Sequence, residues 1–203
     1  MTQYIIGADE VGYGCLAGPL VVCAVRAPDN WQLSGLKDSK KFKDSSKLSA
    51  HEKRLEVNYN IRKAVEKGEI SFHLAERSST QIDELGVAVA LKDAYVQAFN
   101  FLYNVNDVVI ADGVLKFTSY NLSYKIDSVI KADDKFTSVM AASILAKTYR
   151  DDLMMTLHNK YPNYDWINNV GYGSKSHLEA IEMHGPTNFH RFSYAPMKNM
   201  KVL

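Results

Sequence analysis

The sequence predicts an α/β fold, a mixed sheet flanked by helices with a small helical extension at its C-terminal end. Three observations carry that reading. Two apolar runs, "QYIIGAD" and "PLVVCAVRA", follow one another across a short glycine-containing connection, as antiparallel neighbours do. A long helical pattern then precedes two later runs, "DVVIAD" and "YKIDSVIKAD", the arrangement in which a crossover helix joins parallel strands. Leu145, Tyr149, Leu153 and Leu157 recur four residues apart, the spacing of a buried helix face.

Each element has its own signal. The first two strands are apolar and rich in Ile and Val. Residues from about 46 to 67 read as a helix that begins in Ser-rich sequence and stops at Gly68, and "EISFHLAERS" reads as a short strand. Thr80 with Asp83 three residues on resembles a capping box, opening a helix that runs through Phe101. "DVVIAD" is a short buried strand, "YKIDSVIKAD" another, and residues from about 137 to 159 are helical. "SHLE" at 176–179 is a second capping box, for a short helix closed by Gly185-Pro186. No linker or repeat intervenes, so residues 1–203 are expected to form one domain.

Composition excludes several classes. Hydrophobic residues make up 46% of the chain, ordinary for a folded domain, and no apolar run approaches the ~20 residues a membrane-spanning helix needs. The N-terminus carries no secretion signal, and the two cysteines, Cys15 and Cys23, suit a reduced, cytoplasmic protein. A net charge of +1 means that any site for a polyanion must be local. The lysine-rich "KDSKKFKDSSK" is one candidate, and by composition alone it reads equally as a solvated loop leading into a helix.

Three strands end on acids: Asp9-Glu10, Asp112 and Asp133-Asp134. Neighbouring strand ends lie about 5 Å apart. Acids converging there would repel without cations, and all-oxygen ligands select hard ions such as Mg²⁺ or Mn²⁺. Any one of these acids taken singly is also what a strand end or turn would use. Two hard ions about 3.5–4 Å apart are the usual apparatus of in-line displacement at phosphorus. In "VGYGCLAG", Gly12, Gly14 and Gly18 clear side chains from beside the acids, so that a substrate backbone could approach. In "GYGSKSHLE", Tyr172 lies just before a helix N-terminus and suits either stacking on a nucleotide or packing. Lys175, His177 and Arg191 are candidates for phosphate contact, whereas His184 and His190 read as local hydrogen-bonding residues.

The segments "GADEVGYGCLAGPLVVCAV", "LKDSKKF", "IADG", "IKADDKFTSVMAASILAKTYRD" and "GYGSKSHLEAIEMHGPTNFHRFSYAP" together resemble ribonuclease HII, in the order that family uses. The resemblance implies a ribonuclease H-like fold in which residues from about 160 to 203 form a C-terminal helical extension that helps to bind substrate. It implies an endonuclease that cleaves RNA in RNA–DNA hybrids and incises 5′ to ribonucleotides embedded in duplex DNA, leaving a 3′-hydroxyl and a 5′-phosphate. Carried over by position, the metal-binding and catalytic acids are Asp9, Glu10, Asp112 and Asp133, holding two divalent ions, Mg²⁺ or Mn²⁺. The substrate-binding positions are Gly12, Tyr13, Gly14, Ser39, Lys40 and Tyr172. Tyr13 stands where the family usually has arginine. A monomer is expected. Two other readings compete: a nucleotide-binding phosphotransferase or ATPase, against which no Walker-type loop is present, and a non-catalytic module that binds RNA–DNA hybrids.

Overall fold

The computed structural model describes residues 2–36 and 47–199. In chain order the elements are β1 (Tyr4–Val11), β2 (Leu20–Pro28), α1 (Lys47–Glu66), β3 (Ser71–Arg77), α2 (Ser79–Leu85) and α3 (Val87–Leu102). There follow β4 (Val108–Asp112), β5 (Ile126–Val129), α4 (Thr137–Lys160), α5 (Trp166–Asn169) and α6 (Lys175–His184). The five strands make one sheet in the order β3-β2-β1-β4-β5. β1, β2 and β3 pair antiparallel, and β4 and β5 continue the sheet in parallel from β1. This is the mixed sheet expected from the sequence.

Because strand side chains alternate between faces, β1 and β2 build two cores at once. Ile6, Ala8, Val22 and Ala24 face α3 through Ala90, Ala94, Tyr95 and Ala98. Cys23 and Val25 pack on the opposite face against α1 and α4. Gly7 explains how α4 comes so near β1. A Cβ there would sit 2.4 Å from the Ser138 Oγ and 2.6 Å from the Val139 backbone nitrogen, so only glycine admits the first turn of α4. A further cluster joins Leu16 and Ala17 to Met154 and Leu157 of α4, Trp166 of α5 and Ile181 of α6. The C-terminal helices therefore pack on the loop between β1 and β2.

Local details depart from the sequence reading in four places. The capping box before α2 is formed by Ser78 and Gln81, whose side chains and backbone N–H groups bond reciprocally at 3.2 and 2.9 Å. Asp83, expected in that role, instead accepts the N–H groups of Phe192 and Ser193, both at 2.8 Å. The expected single helix through Phe101 is two, broken at Gly86, whose φ of 77° a helix cannot contain. Ser174, not Ser176, caps α6, accepting the His177 N–H at 3.2 Å, while the Ser176 hydroxyl reaches Asp165. The strand expected over "YKIDSVIKAD" ends at Val129, and Asp133 lies beyond it on a turn of 3-10 helix, Ala132–Asp134.

Candidate active site

β1 and β4 are parallel neighbours with Ala8 opposite Ala111, so Asp9 and Asp112 leave adjacent strand ends. Ile110 and Ala111 fall in clusters on opposite faces of the sheet, which sends Asp112 to the face that α4 covers. Asp9 follows Ala8 and goes to that same face. Asp133 joins them through a backbone tie: the Asp112 Oδ1 accepts the Ala132 N–H at 2.7 Å, which seats the 3-10 turn beside β4. One carboxylate oxygen from each of Asp9, Asp112 and Asp133 lies within 4.8 Å of the other two. Asp9 and Asp133 are 2% and 4% exposed, so this is a cluster of like charges largely withdrawn from water. Such a cluster favours a hard divalent cation among its oxygens, and this donor set fits one.

Glu10 behaves differently. As the next residue on a pleated strand it turns to the face that α3 covers, where the Tyr95 hydroxyl donates to its Oε2 at 2.5 Å. Burial, then the neighbouring carboxylates of Glu10 and Asp9, push the Tyr95 phenol well above its usual range, so it stays a donor. The Glu10 carboxylate lies outside the three-acid group but lines the same cavity. Asp134 is exposed.

That cavity, of about 230 Å³, is walled by Asp9 and Glu10 on one side, by Gly12, Tyr13 and Gly14 on another, and by Ser143, Lys147 and Tyr172. Tyr13 and Tyr172 are each 44% exposed at its rim. Burial, then Cys15, pushes the Tyr172 phenol up to about 12, leaving it a neutral ring. Ser39 and Lys40, with most of the lysine-rich stretch, lie outside the described residues.

The glycines beside the acids do separate jobs. A Cβ on Gly12 (φ +87°) would meet the Arg150 Nε at 2.4 Å, and one on Gly18 would meet the Met154 Sδ at 2.4 Å. These two are small because the protein packs against them, not to admit a ligand. Around Gly14 there is open space.

Two arginines hold this loop, each 0% exposed: Arg150, which the sequence reading did not single out, and Arg191. Arg150 donates to the carbonyls of Pro19, Ala17 and Val170 at 2.8, 2.9 and 2.8 Å. Arg191 donates to those of Gly12, Tyr13 and Gly18 at 2.7, 2.8 and 3.0 Å. Arg191 and the equally buried His177 are therefore internal supports, which corrects the expectation that they meet phosphate. Lys175 is exposed and pairs with Glu179 at 3.7 Å. Gly171 couples the two loops, its carbonyl accepting the N–H groups of Leu16 and Ala17 at 2.7 and 3.2 Å.

Lys147 was also missed. Its ammonium reaches Asp151 at 2.6 Å, and Asp151 is bound in turn by Arg54 of α1 at 3.0 Å. Burial pushes the Lys147 ammonium below its ordinary value, partly offset by Asp151. Burial alone would raise Asp151, but His51, Lys147 and Arg54 outweigh it and hold the carboxyl below its usual range. In the sequence, "AKTYRD" offers only an i,i+4 Lys–Asp pair, the same signal as any solvent-facing helix pair.

Residues 6–197 match the family model for ribonuclease HII. The chain is similar to the ribonuclease HII of Oceanobacillus iheyensis, 40% identical over 195 residues that cover 96% of this chain and 69% of that one. Among solved structures it resembles the ribonuclease H2 of Pyrococcus horikoshii, with a TM-score of 0.73 at 22% identity, covering 97% and 96% of the two chains. It also resembles Bst-RNase HIII, solved in complex with Mn²⁺, with a TM-score of 0.71 at 20% identity, covering 97% and 68%. Those two likenesses show the fold, a mixed sheet flanked by helices of the ribonuclease H type.

Proposed function

The chain belongs to the ribonuclease HII family and is a divalent-metal-dependent ribonuclease H hydrolase; from that premise we propose that it incises duplex DNA 5′ to an embedded ribonucleotide as well as cleaving RNA in RNA–DNA hybrids. The observation that carries the reading is that Asp9 and Glu10 share one cavity with a glycine loop and an exposed tyrosine, while Asp112 and Asp133 cluster on Asp9. Asp9, Asp112 and Asp133, with Glu10 held by Tyr95, would hold two divalent ions, Mg²⁺ or Mn²⁺. When bound, such ions lower the pKa of the attacking water and offset charge on the leaving oxygen.

The chain's own residues supply binding and orientation. Gly14 gives the ribose open space to approach. Arg191 fixes the carbonyls of Gly12 and Tyr13 inward, and among the described residues no acceptor is bonded to the N–H groups of Tyr13 or Gly14. Those two N–H groups suit the 2′-hydroxyl and the adjoining phosphate, the features that set RNA apart from DNA at a single nucleotide. Lys147 brings a positive charge to the wall facing the glycine loop, where it meets a substrate phosphate. Tyr172 stacks at the rim beside the ribonucleotide's sugar. Ser39 and Lys40 are retained as phosphate contacts on the motif alone. The C-terminal extension acts in binding by carrying Tyr172, and the active unit is a monomer of the reducing cytoplasm, where its two free cysteines stay unpaired.

The test is a labelled duplex containing one ribonucleotide, set beside a long RNA–DNA hybrid, each with and without Mn²⁺. Metal-dependent cutting of both, on the 5′ side of the ribonucleotide and leaving a 3′-hydroxyl, is the expected result. Asp9→Asn should reduce the rate at least about a thousandfold, as loss of several kcal/mol of charge stabilisation requires. Near-normal turnover by that variant would overturn the acid assignment, and cutting of the long hybrid alone would overturn the proposed specificity.

A further inference from the structure

Behind Tyr172 lies a buried chain of hydrogen bonds whose protons can be placed one by one. His177, His190 and Trp166 are each 0% exposed. An indole N–H only donates, so the 3.0 Å contact from the Trp166 Nε1 makes the His177 Nε2 an acceptor. The other His177 nitrogen, Nδ1, lies 2.9 Å from the Tyr172 carbonyl, which only accepts, so Nδ1 carries the proton. The His190 Nε2 lies 3.1 Å from the same His177 Nε2 and must therefore donate to it. That leaves the His190 Nδ1 as an acceptor, and the Thr187 N–H meets it at 2.9 Å. One assignment accommodates all four contacts, two neutral rings with opposite tautomers, in which the single lone pair of the His177 Nε2 is shared between the Trp166 and His190 donors. The chain ends on the backbone of the residue at the cavity's rim.

We propose that His177, fixed in its Nδ1–H tautomer by Trp166 and His190, is a positioning residue that sets the backbone of Tyr172 and through it the grip on substrate. The Tyr172 carbonyl also accepts the Ser174 N–H at 2.8 Å, and the Tyr172 N–H donates to the Asn169 carbonyl at 2.9 Å. His177 is thus the one side chain among these three ties, and it reaches Tyr172 from α6. This inference rests on the reading of Tyr172 as a substrate contact. His177 touches neither the substrate nor the acids, so its effect belongs in binding rather than in the chemical step.

The experiment is a double-mutant cycle on the single-ribonucleotide duplex, with KM and kcat measured for the wild type, Tyr172→Ala, His177→Phe and the pair. His177→Phe should raise KM about tenfold, the scale of one buried hydrogen bond, with kcat changed by less than about twofold. In the Tyr172→Ala background it should add nothing, and His177→Asn, which keeps a donor near the Nδ1 position, should restore most of the loss. An unchanged KM in Tyr172→Ala overturns the reading of Tyr172 and this inference with it. A raised KM in Tyr172→Ala, together with no effect of His177→Phe or a fully additive one, overturns the positioning role alone. Should His177→Phe fail to fold, the wild-type protein still decides: proton–nitrogen NMR must show His177 protonated at Nδ1 and His190 at Nε2 across neutral pH. The reverse tautomers would overturn the proposal.

Discussion

The two walls of the cavity are built on different principles. The acid wall stands on strand ends, where ladder hydrogen bonds and one backbone tie from Ala132 to Asp112 determine where each carboxylate goes. The glycine and Tyr172 wall is made of loops with no ladder, and it is held by side chains that reach carbonyls from far along the chain. Arg191 is 179 residues from Gly12, and Arg150 is 131 from Pro19. The difference teaches that charge on the first wall is gathered at the cavity, while charge buried behind the second serves shape.

Substitutions should separate the two. On the acid wall, Asp9→Asn should cost activity without cost in stability, since it removes like-charge repulsion. On the loop wall, Arg191→Met should lower unfolding free energy by about 4 kcal/mol, because it strands at least two buried carbonyls, and urea titration reads that loss directly. A stable Arg191→Met protein would break the comparison.

Acid should act on the loop wall too. Burial, then His177, pulls His190 down to about 4 from an ordinary 6.5. The folded state thus prefers the neutral ring, whereas the unfolded chain takes up a proton near 6.5. The stability this gives is full above pH 6.5 and is lost as pH falls towards 4, amounting to roughly 3 kcal/mol. His177 is pulled down in the same direction by burial, opposed by its bond to Tyr172 and by Asp165. Denaturant curves taken through that range should be flatter with pH for His190→Gln than for the wild type. Equal slopes would mean that the pair does not resist protonation.

The smallest effects sharpen the distinction within one loop. Gly12→Ala should cost about 2 kcal/mol, for its positive φ and the clash with Arg150. Gly14→Ala, in open space, should stay within about 0.5 kcal/mol. Any loss of substrate binding in Gly14→Ala then reports contact with the ligand, because the fold is unaffected. Comparable melting losses in both variants would erase the distinction.

Much of the acid wall was legible in the sequence because strand periodicity and a terminal acid are local signals. The directions of the strands, early ones antiparallel and later ones parallel, followed from the same patterns, whereas their order across the sheet came only with the structure. Glu10 was named with the other acids, but its turn to the opposite face was not, because acids gathered by strand end ignore the pleat that separates neighbouring side chains. Asp133 was expected at the end of a strand and sits on a turn, since Lys131 adopts a left-handed conformation (φ 54°) that stops β5 short. The capping boxes were misplaced by two residues each because Ser and Thr cluster at both helix starts, and only the hydrogen bonds choose among them. The supports of the loop wall were illegible for a stronger reason. A buried arginine and an exposed one are the same letter, and nothing local says that Arg191 will meet carbonyls near the other end of the chain.

The bond from the Gly171 carbonyl to Leu16 and Ala17 sets an order of assembly. On a growing polypeptide the three acids have all been made once residue 133 has emerged. The loop beside them gains its anchors only after Gly171 and Arg191 have been synthesised and have closed a circuit of more than 150 residues. A nascent chain therefore acquires its charge before its grip. The step that steadies the glycine loop comes only after the acids are in place.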